Sequence, residues 1–248
     1  MFEPIAGSHS WLAATLFAVV TCAQARDLKM VAPNAVKESV VEIAARLEKD
    51  TGQRVSFTWG GSQGIAKRVA DGEVFDVVMN TSAGAYRMAA DGKLVSGSRT
   101  DFSRSAVAMA VCPGLPRPDV SSVDALRTTL LEAQSIANYS GASGRYLEQL
   151  FQKLGVAEQI KQPPSGAQIG DMPARSEADL GFQQVTELMH GKGFQYVGPL
   201  PAEVQNCTVW AAGVHSSALQ AEAARAFSRA LAAPASAPAL RKHGLDAR

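Results

Sequence analysis

Aromatic side chains make up only 6% of this 248-residue chain, histidine occurs four times, cysteine three times, and the formal net charge is +1. Near-neutrality excludes the basic footprint of a nucleic-acid binder and the polybasic attraction to an anionic membrane surface. Three cysteines cannot staple a disulfide scaffold, and their spacing matches no metal-ligand pattern, so neither a metal nor a cofactor is expected. Long apolar runs are also missing. The one candidate, "WLAATLFAVV" at 11–20, is too short to span a bilayer and is followed by "AQA" at 23–25, the small-residue pattern of a signal-peptidase site.

Residues 1–25 therefore read as a secretory signal peptide, although its start carries Glu3 and His9 and no Lys or Arg. A lipid anchor on Cys22 is the rival reading, with Thr21 unfavourable before it, and a buried N-terminal helix is a third. Removing 1–25 takes away one charged residue, Glu3, and leaves 24 Lys and Arg against 22 Asp and Glu. What remains is long enough for one large domain or two smaller ones with real cores. Cys112 and Cys207 stay in the chain, as two separate thiols or as a bridge in an oxidising compartment.

Along the chain, "DLKMVA" alternates as a strand. Val36, Val40, Ile43 and Leu47 then recur at helical spacing up to Gly52, "RVSFTW" is a second strand, and a helix starts near Ile65 before the buried strand "VFDVVMN". This β-α-β-α-β order predicts a largely parallel sheet with covered faces. A helix near 82–90 follows. The apolar strand "SAVAMAVCPG" at 105–114 leads to a second β-α series: "SIANYS", a "GASG" loop, the helix "RYLEQLFQKLG", and strands "ADLGFQQ", "FQYVG" and "CTVWAAGV". An Ala-rich helix at 217–231 and a short one after Pro234 end the chain.

The first Gly/Ser loop, "WGGSQGIAKRV", spells G-x-S-x-G at Gly60, Ser62 and Gly64. As a nucleophile elbow it needs a general-base histidine and a carboxylate in the right context. His190, His215 and His243 sit in "LMHGKG", "GVHSS" and "RKHGL", none of which has that context, and no HGGG-type oxyanion loop precedes Ser62. As an anion cradle the loop needs only glycines that admit a ligand, a hydroxyl, and the unpaired N–H groups of a helix start. Helix capping by serine explains many such loops. Here, however, "SGASG" at 140–144, with Ser140 and Ser143, repeats the chemistry in the second half.

The run "GGSQGIAKRVADGEVFDVVMN", with "SGRYLEQLFQKLG", "ARSEADLGFQQ" and the closing "RKHGL", resembles the periplasmic molybdate-binding proteins of ABC importers, within the type II periplasmic binding proteins. The resemblance covers nearly the whole chain after residue 25. It implies an α/β two-domain clamshell, each domain a mostly parallel sheet flanked by helices, with "SAVAMAVC" and "CTVWAAGV" as the crossing hinge strands. Domain I would be 26–107 plus 212–248, and domain II 108–211. The family's ligand-facing serines fall on Asn34 and Ser62, its backbone donors near Ser143 and Gly166, and its tyrosine on Gln184. Two of three side-chain ligands thus differ, and Arg145 adds a charge that is either solvated surface or a grip on the ligand. The resemblance implies a monomeric, non-catalytic periplasmic carrier that hands a small anion, a molybdate-like oxyanion or an organic carboxylate, to a membrane permease. A secreted serine hydrolase and a ligand-sensing domain are the competing classes. If the two crossing strands are antiparallel neighbours, Cys112 and Cys207 come within disulfide reach.

Overall fold

A computed structural model describes residues 26–138, 143–161 and 178–247; the expected signal peptide and Gly166 lie outside them, as does the side chain of Arg145. The chain opens with β1 (Leu28–Pro33), a 3-10 turn (Asn34–Val36), α1 (Lys37–Thr51) and β2 (Val55–Gly60). Next come α2 (Ser62–Ala70), β3 (Val77–Thr81), α3 (Ser82–Ala90) and β4 (Thr100–Ser105). The periodic apolar residues of α1 end where predicted, at Gly52, whose φ of 73° suits a residue without a Cβ. The second series is β5 (Val107–Val111), α4 (Val123–Glu132), β6 (Ile136–Asn138), α5 (Gly144–Leu154) and β7 (Ile160–Lys161). It continues with β8 (Leu180–Gln184), α6 (Val185–His190) and β9 (Gln195–Pro199). The chain closes with β10 (Thr208–Val214), α7 (Ala221–Ala232), α8 (Ala237–Lys242) and β11 (Asp246–Ala247).

These strands make two sheets, ordered β11-β4-β10-β3-β1-β2 and β7-β6-β8-β5-β9. Both are mixed rather than mostly parallel. In the first, β1 pairs in parallel with β2 and β3, while β10 runs antiparallel to β3 and β4; in the second, β6 is parallel to β7 and β8, and β5 antiparallel to β8 and β9. Each sheet is covered on both faces. Leu28 and Met30 of β1 pack with Val40, Ile43, Phe227 and Leu231 on one face, whereas Val31 meets Ile65, Val69 and Met88 on the other. In the second sheet Met109 and Phe182 join Leu147 and Phe151, and Ala108 and Ala110 join Leu188. Each fully buried Leu, Ile, Val, Met or Phe among these contributes roughly 1.5 to 3 kcal/mol by area.

The crossing differs from the sequence expectation. Chain 100–105 is already a strand of the first sheet, and the switch to the second sheet occurs at Ala106, so "SAVAMAVC" crosses at its first two residues and gives only Val107–Val111 to the second sheet. All of β10 belongs to the first sheet, so a boundary between 211 and 212 falls inside a strand. Gln205 holds the crossing: its Oε1 accepts from Val107 N at 2.8 Å, and its Nε2 donates to Val107 O at 3.0 Å.

This register also corrects the disulfide expectation. β10 pairs with β4, Thr208 opposite Ser105, so Cys207 sits at the crossing. Cys112 follows the far end of β5, its N–H on Asp179 O. The length of β5, about 17 Å at roughly 3.3 Å per residue, separates them, against about 4.4 to 6.8 Å between bridged Cα atoms. They are two thiols, Cys112 buried and Cys207 exposed. In protein beginning near Asp27, a thiol reagent should label Cys207 at once and Cys112 only on denaturation. Unreduced protein that yields no thiol in denaturant would contradict this.

Candidate functional site

The GGSQG loop is built from below by Asn80. This residue is next to last in the apolar strand β3, is 2% exposed, and donates from Nδ2 to Ser62 O at 2.9 Å, while its Oδ1 accepts from Thr81 N at 2.7 Å. A Cβ on Gly84 would lie 2.7 Å from that Oδ1, so glycine there lets α3 start against β3, capped by Thr81 Oγ1. Ser62 is the first residue of α2, behind an extended Gly61 that supplies no side-chain cap. Gly60 and Gly64 are not demanded by the protein's own packing. A Cβ on Gly60 would make one ordinary contact, with Ile65 at 3.9 Å, and on Gly64 none within 4 Å.

A cavity of about 1380 Å³ opens beside this loop, lined by α2, the end of β3, α3, Glu148 of α5, and the stretch Asn206–Val209. Its lining holds four cations, Lys67, Arg87, Lys93 and Arg99, against two anions, Asp91 and Glu148. Arg99 is oriented by Asp101 at 2.9 Å and by the Ser82 hydroxyl, which itself donates to Asp101.

Of the residues singled out in sequence, Ser62 lines this cavity. Asn34 opens the 3-10 turn after β1, and α6 packs on that turn from the other sheet. Gln184 ends β8 at 3% exposure, donates from Nε2 to Thr208 Oγ1 at 3.0 Å, and reaches the cavity wall through that threonine. Ser143 is buried at the start of α5. Among the described residues Ser62 has no histidine partner. His190 and His243 meet each other at 3.1 Å, His243 also meets Glu42 at 2.9 Å, and His215 accepts from Ser217 N.

Residues that the sequence reading did not single out are Asn80, Thr208, Gln183, Thr186 and Glu187. Two glutamines ending an otherwise apolar strand are the signal that marks the last group. Burial pushes the Glu187 carboxyl up to about 7, against a lowering hydrogen bond from Gln183. Glu42, by contrast, is held below the usual carboxylate range by its hydrogen bonds to Lys242 and His243.

Residues 28–246 match the model of a family described as bacterial extracellular solute-binding protein. A relative from Pseudomonas sp. named aconitate isomerase is 35% identical over 231 residues, 88% of this chain and 87% of its own. The molybdate-binding protein ModA of Azotobacter vinelandii is 26% identical over 213 residues, 80% and 83% of the two chains. The solved periplasmic molybdate-binding protein of Azotobacter vinelandii superposes with a TM-score of 0.72 at 19% identity, covering 88% of this chain and 98% of that one.

Proposed function

The chain belongs to the bacterial extracellular solute-binding proteins, and on that premise we propose that it binds a small polycarboxylate of the aconitate kind between its two sheet units. The observation that carries this reading is the cavity of about 1380 Å³ beside Ser62, whose lining includes Arg87 and Lys93, while its other two cations, Lys67 and Arg99, are paired with Asp71 and Asp101. The volume exceeds the roughly 300 to 1,000 Å³ common for small-molecule sites, which gives an organic acid of this size room to enter. Asn34 and Gln184, in place of shorter or aromatic hydroxyl ligands, favour the same choice, as does the name of the 35% identical relative. The two units act as lobes that close on the ligand, in an exported, periplasmic, monomeric protein that presents the closed form to a membrane permease. Ser62 binds and does not attack.

Thermal shift tests the reading. At 100 times its dissociation constant a ligand adds about 2.7 kcal/mol, which raises Tm by roughly 5 to 10 °C in a chain of this size. Trans- and cis-aconitate should give that shift where molybdate and sulfate do not. Ser62→Ala should weaken binding by about 1 to 2 kcal/mol. Arg145→Ala should remove most of the shift if its guanidinium grips a carboxylate. A molybdate shift that survives loss of Arg145 would return the protein to the oxyanion binders.

The same relative favours a second reading, in which the bound acid is also isomerised. Aconitate can exchange its cis and trans forms by losing a proton from the CH2 carbon and regaining one at the former vinylic carbon, with no redox change and no cofactor. Incubating pure protein with trans-aconitate and following the cis form by NMR decides between carrier and isomerase.

A further inference from the structure

A second cluster of polar side chains lies just past the end of α8. His243 Nδ1 stands 3.1 Å from His190 Nε2, and His243 Nε2 stands 2.9 Å from Glu42 Oε2, which also accepts from Lys242 Nζ at 2.7 Å. None of these four residues lines the cavity beside Ser62. The two histidines are 53 residues apart in the chain, so no local spacing announces them.

Folding brings them together from different sheet units. His190 ends α6, which follows β8 of the second sheet, whereas His243 follows α8 and Glu42 lies on α1, two helices that pack on each other and on strands of the first sheet. The backbone is fitted for this approach. A Cβ on Gly244, whose φ is 79°, would lie 2.8 Å from Met189 Sδ and 2.9 Å from Val185 Cγ1, so α6 rests directly on that glycine.

Glu42 fixes the tautomer of its neighbour. An ionised carboxylate only accepts, so neutral His243 donates from Nε2 and turns the lone pair of Nδ1 toward His190. Ring geometry then separates two uses of that lone pair. A collinear N–H···N bond of this length would hold the ring centres about 5.4 Å apart. Two imidazoles on one tetrahedral ion, each nitrogen about 2.0 to 2.1 Å from it, hold their nitrogens about 3.3 Å and their ring centres about 5.2 Å apart. The observed centres are 5.0 Å apart with the planes inclined at 50°, a bent approach closer to the second arrangement than to the first.

We propose that His190 and His243 form a binding site for a divalent ion of the zinc, nickel and copper class, with Glu42 as the carboxylate that orients His243. Imidazole nitrogen suits these ions, and a carboxylate on the far ring nitrogen is the usual support of a metal-bound histidine. No third His, Cys, Asp or Glu joins the pair among the described residues, so water completes the shell. Glu42 takes up the charge of Lys242, which would otherwise oppose a cation here, and His190 is exposed, so an ion can enter. With one ligand from each sheet unit, the ion bridges the two and fixes α6 against α8. The site stands independently of the polycarboxylate reading.

Calorimetric titration of the whole, untagged protein with zinc, nickel and copper(II) chlorides tests the site, at about pH 7.5, where free imidazole is neutral, and with no polycarboxylate present to chelate the metal. One ion per chain is expected, with copper held tightest. The copper(II) electron paramagnetic resonance spectrum should show splitting by imidazole nitrogen, and the melting temperature should rise with metal and return with EDTA. His190→Ala, at an exposed position, and His243→Ala should each abolish this binding, while Glu42→Gln should weaken it about tenfold or more. Absence of binding by all three ions, a copper spectrum without imidazole nitrogen, or binding of unchanged affinity in His190→Ala overturns the proposal. Aconitate binding, measured separately in EDTA, stands or falls on its own.

Discussion

Replacing Asp76 by alanine should remove about 3 kcal/mol of stability or more, from about 1 kcal/mol upward for each of three backbone donors left without its acceptor. Asp76 is 3% exposed, and its two oxygens collect three backbone donors: Lys29 N on Oδ2, and Leu219 N and Gln220 N on Oδ1, each at 2.9 Å. Its own backbone bonds Lys29 O and His215 N. One side chain thus ties β1 to β3 and fixes the entry to α7, which packs Phe227 and Leu231 on the same sheet. Alanine leaves all three N–H groups facing apolar surroundings. Asparagine should fall between, since it keeps an acceptor for Leu219 and Gln220 but turns an NH2 toward the Lys29 N–H. Urea denaturation measures both, and a loss under about 1 kcal/mol for alanine would mean that water replaces the carboxylate.

The second large effect depends on pH. Burial pushes the Glu187 carboxyl up to about 7 in the folded protein, from an ordinary 4.5. A raised acid means that the folded state holds more protons than the unfolded state between these values, so stability falls as pH rises from about 4.5 to 7 and stays lowered above that. Glu187→Gln removes the penalty. Relative to the parent, the variant should gain about 2 to 3 kcal/mol between pH 5 and pH 8, from 1.36 kcal/mol per unit with allowance for residual hydration. Denaturant midpoints at the two pH values give the comparison. Equal pH dependence in parent and variant would show that the carboxyl is solvated.

Much of this architecture is legible from local pattern. Val36, Val40, Ile43 and Leu47 mark α1, the apolar run before Asn80 marks β3, and the small-residue stretch at 82–90 matches α3 residue for residue. β4 is not legible, because "TDFSRS" alternates weakly and becomes a strand through its partners β10 and β11. α4 is signalled only by Ser122, which caps Ala125 N. The bridge expected between Cys112 and Cys207 depends on strand register, a long-range property that no local pattern carries. The site divides in the same way. Ser62 is visible in its loop, whereas the tether from Asn80 and the burial of Glu187 arise from segments brought together by folding.

The sheet order carries a consequence for the time course of folding. The second sheet draws its strands from one continuous stretch, residues 107 to 199, whereas β10, which lies between β3 and β4 in the first sheet, comes from residues 208 to 214. Until that late strand arrives, β3 and β4 have no hydrogen-bonded bridge between them, and the edge of β3 stays open. The second unit can therefore condense while its neighbour is still waiting for the C-terminal segment. A chain that emerges from its N-terminus can close the sheet of its middle segment before its C-terminus arrives, and the wall that carries Ser62 and Asn80 is completed last.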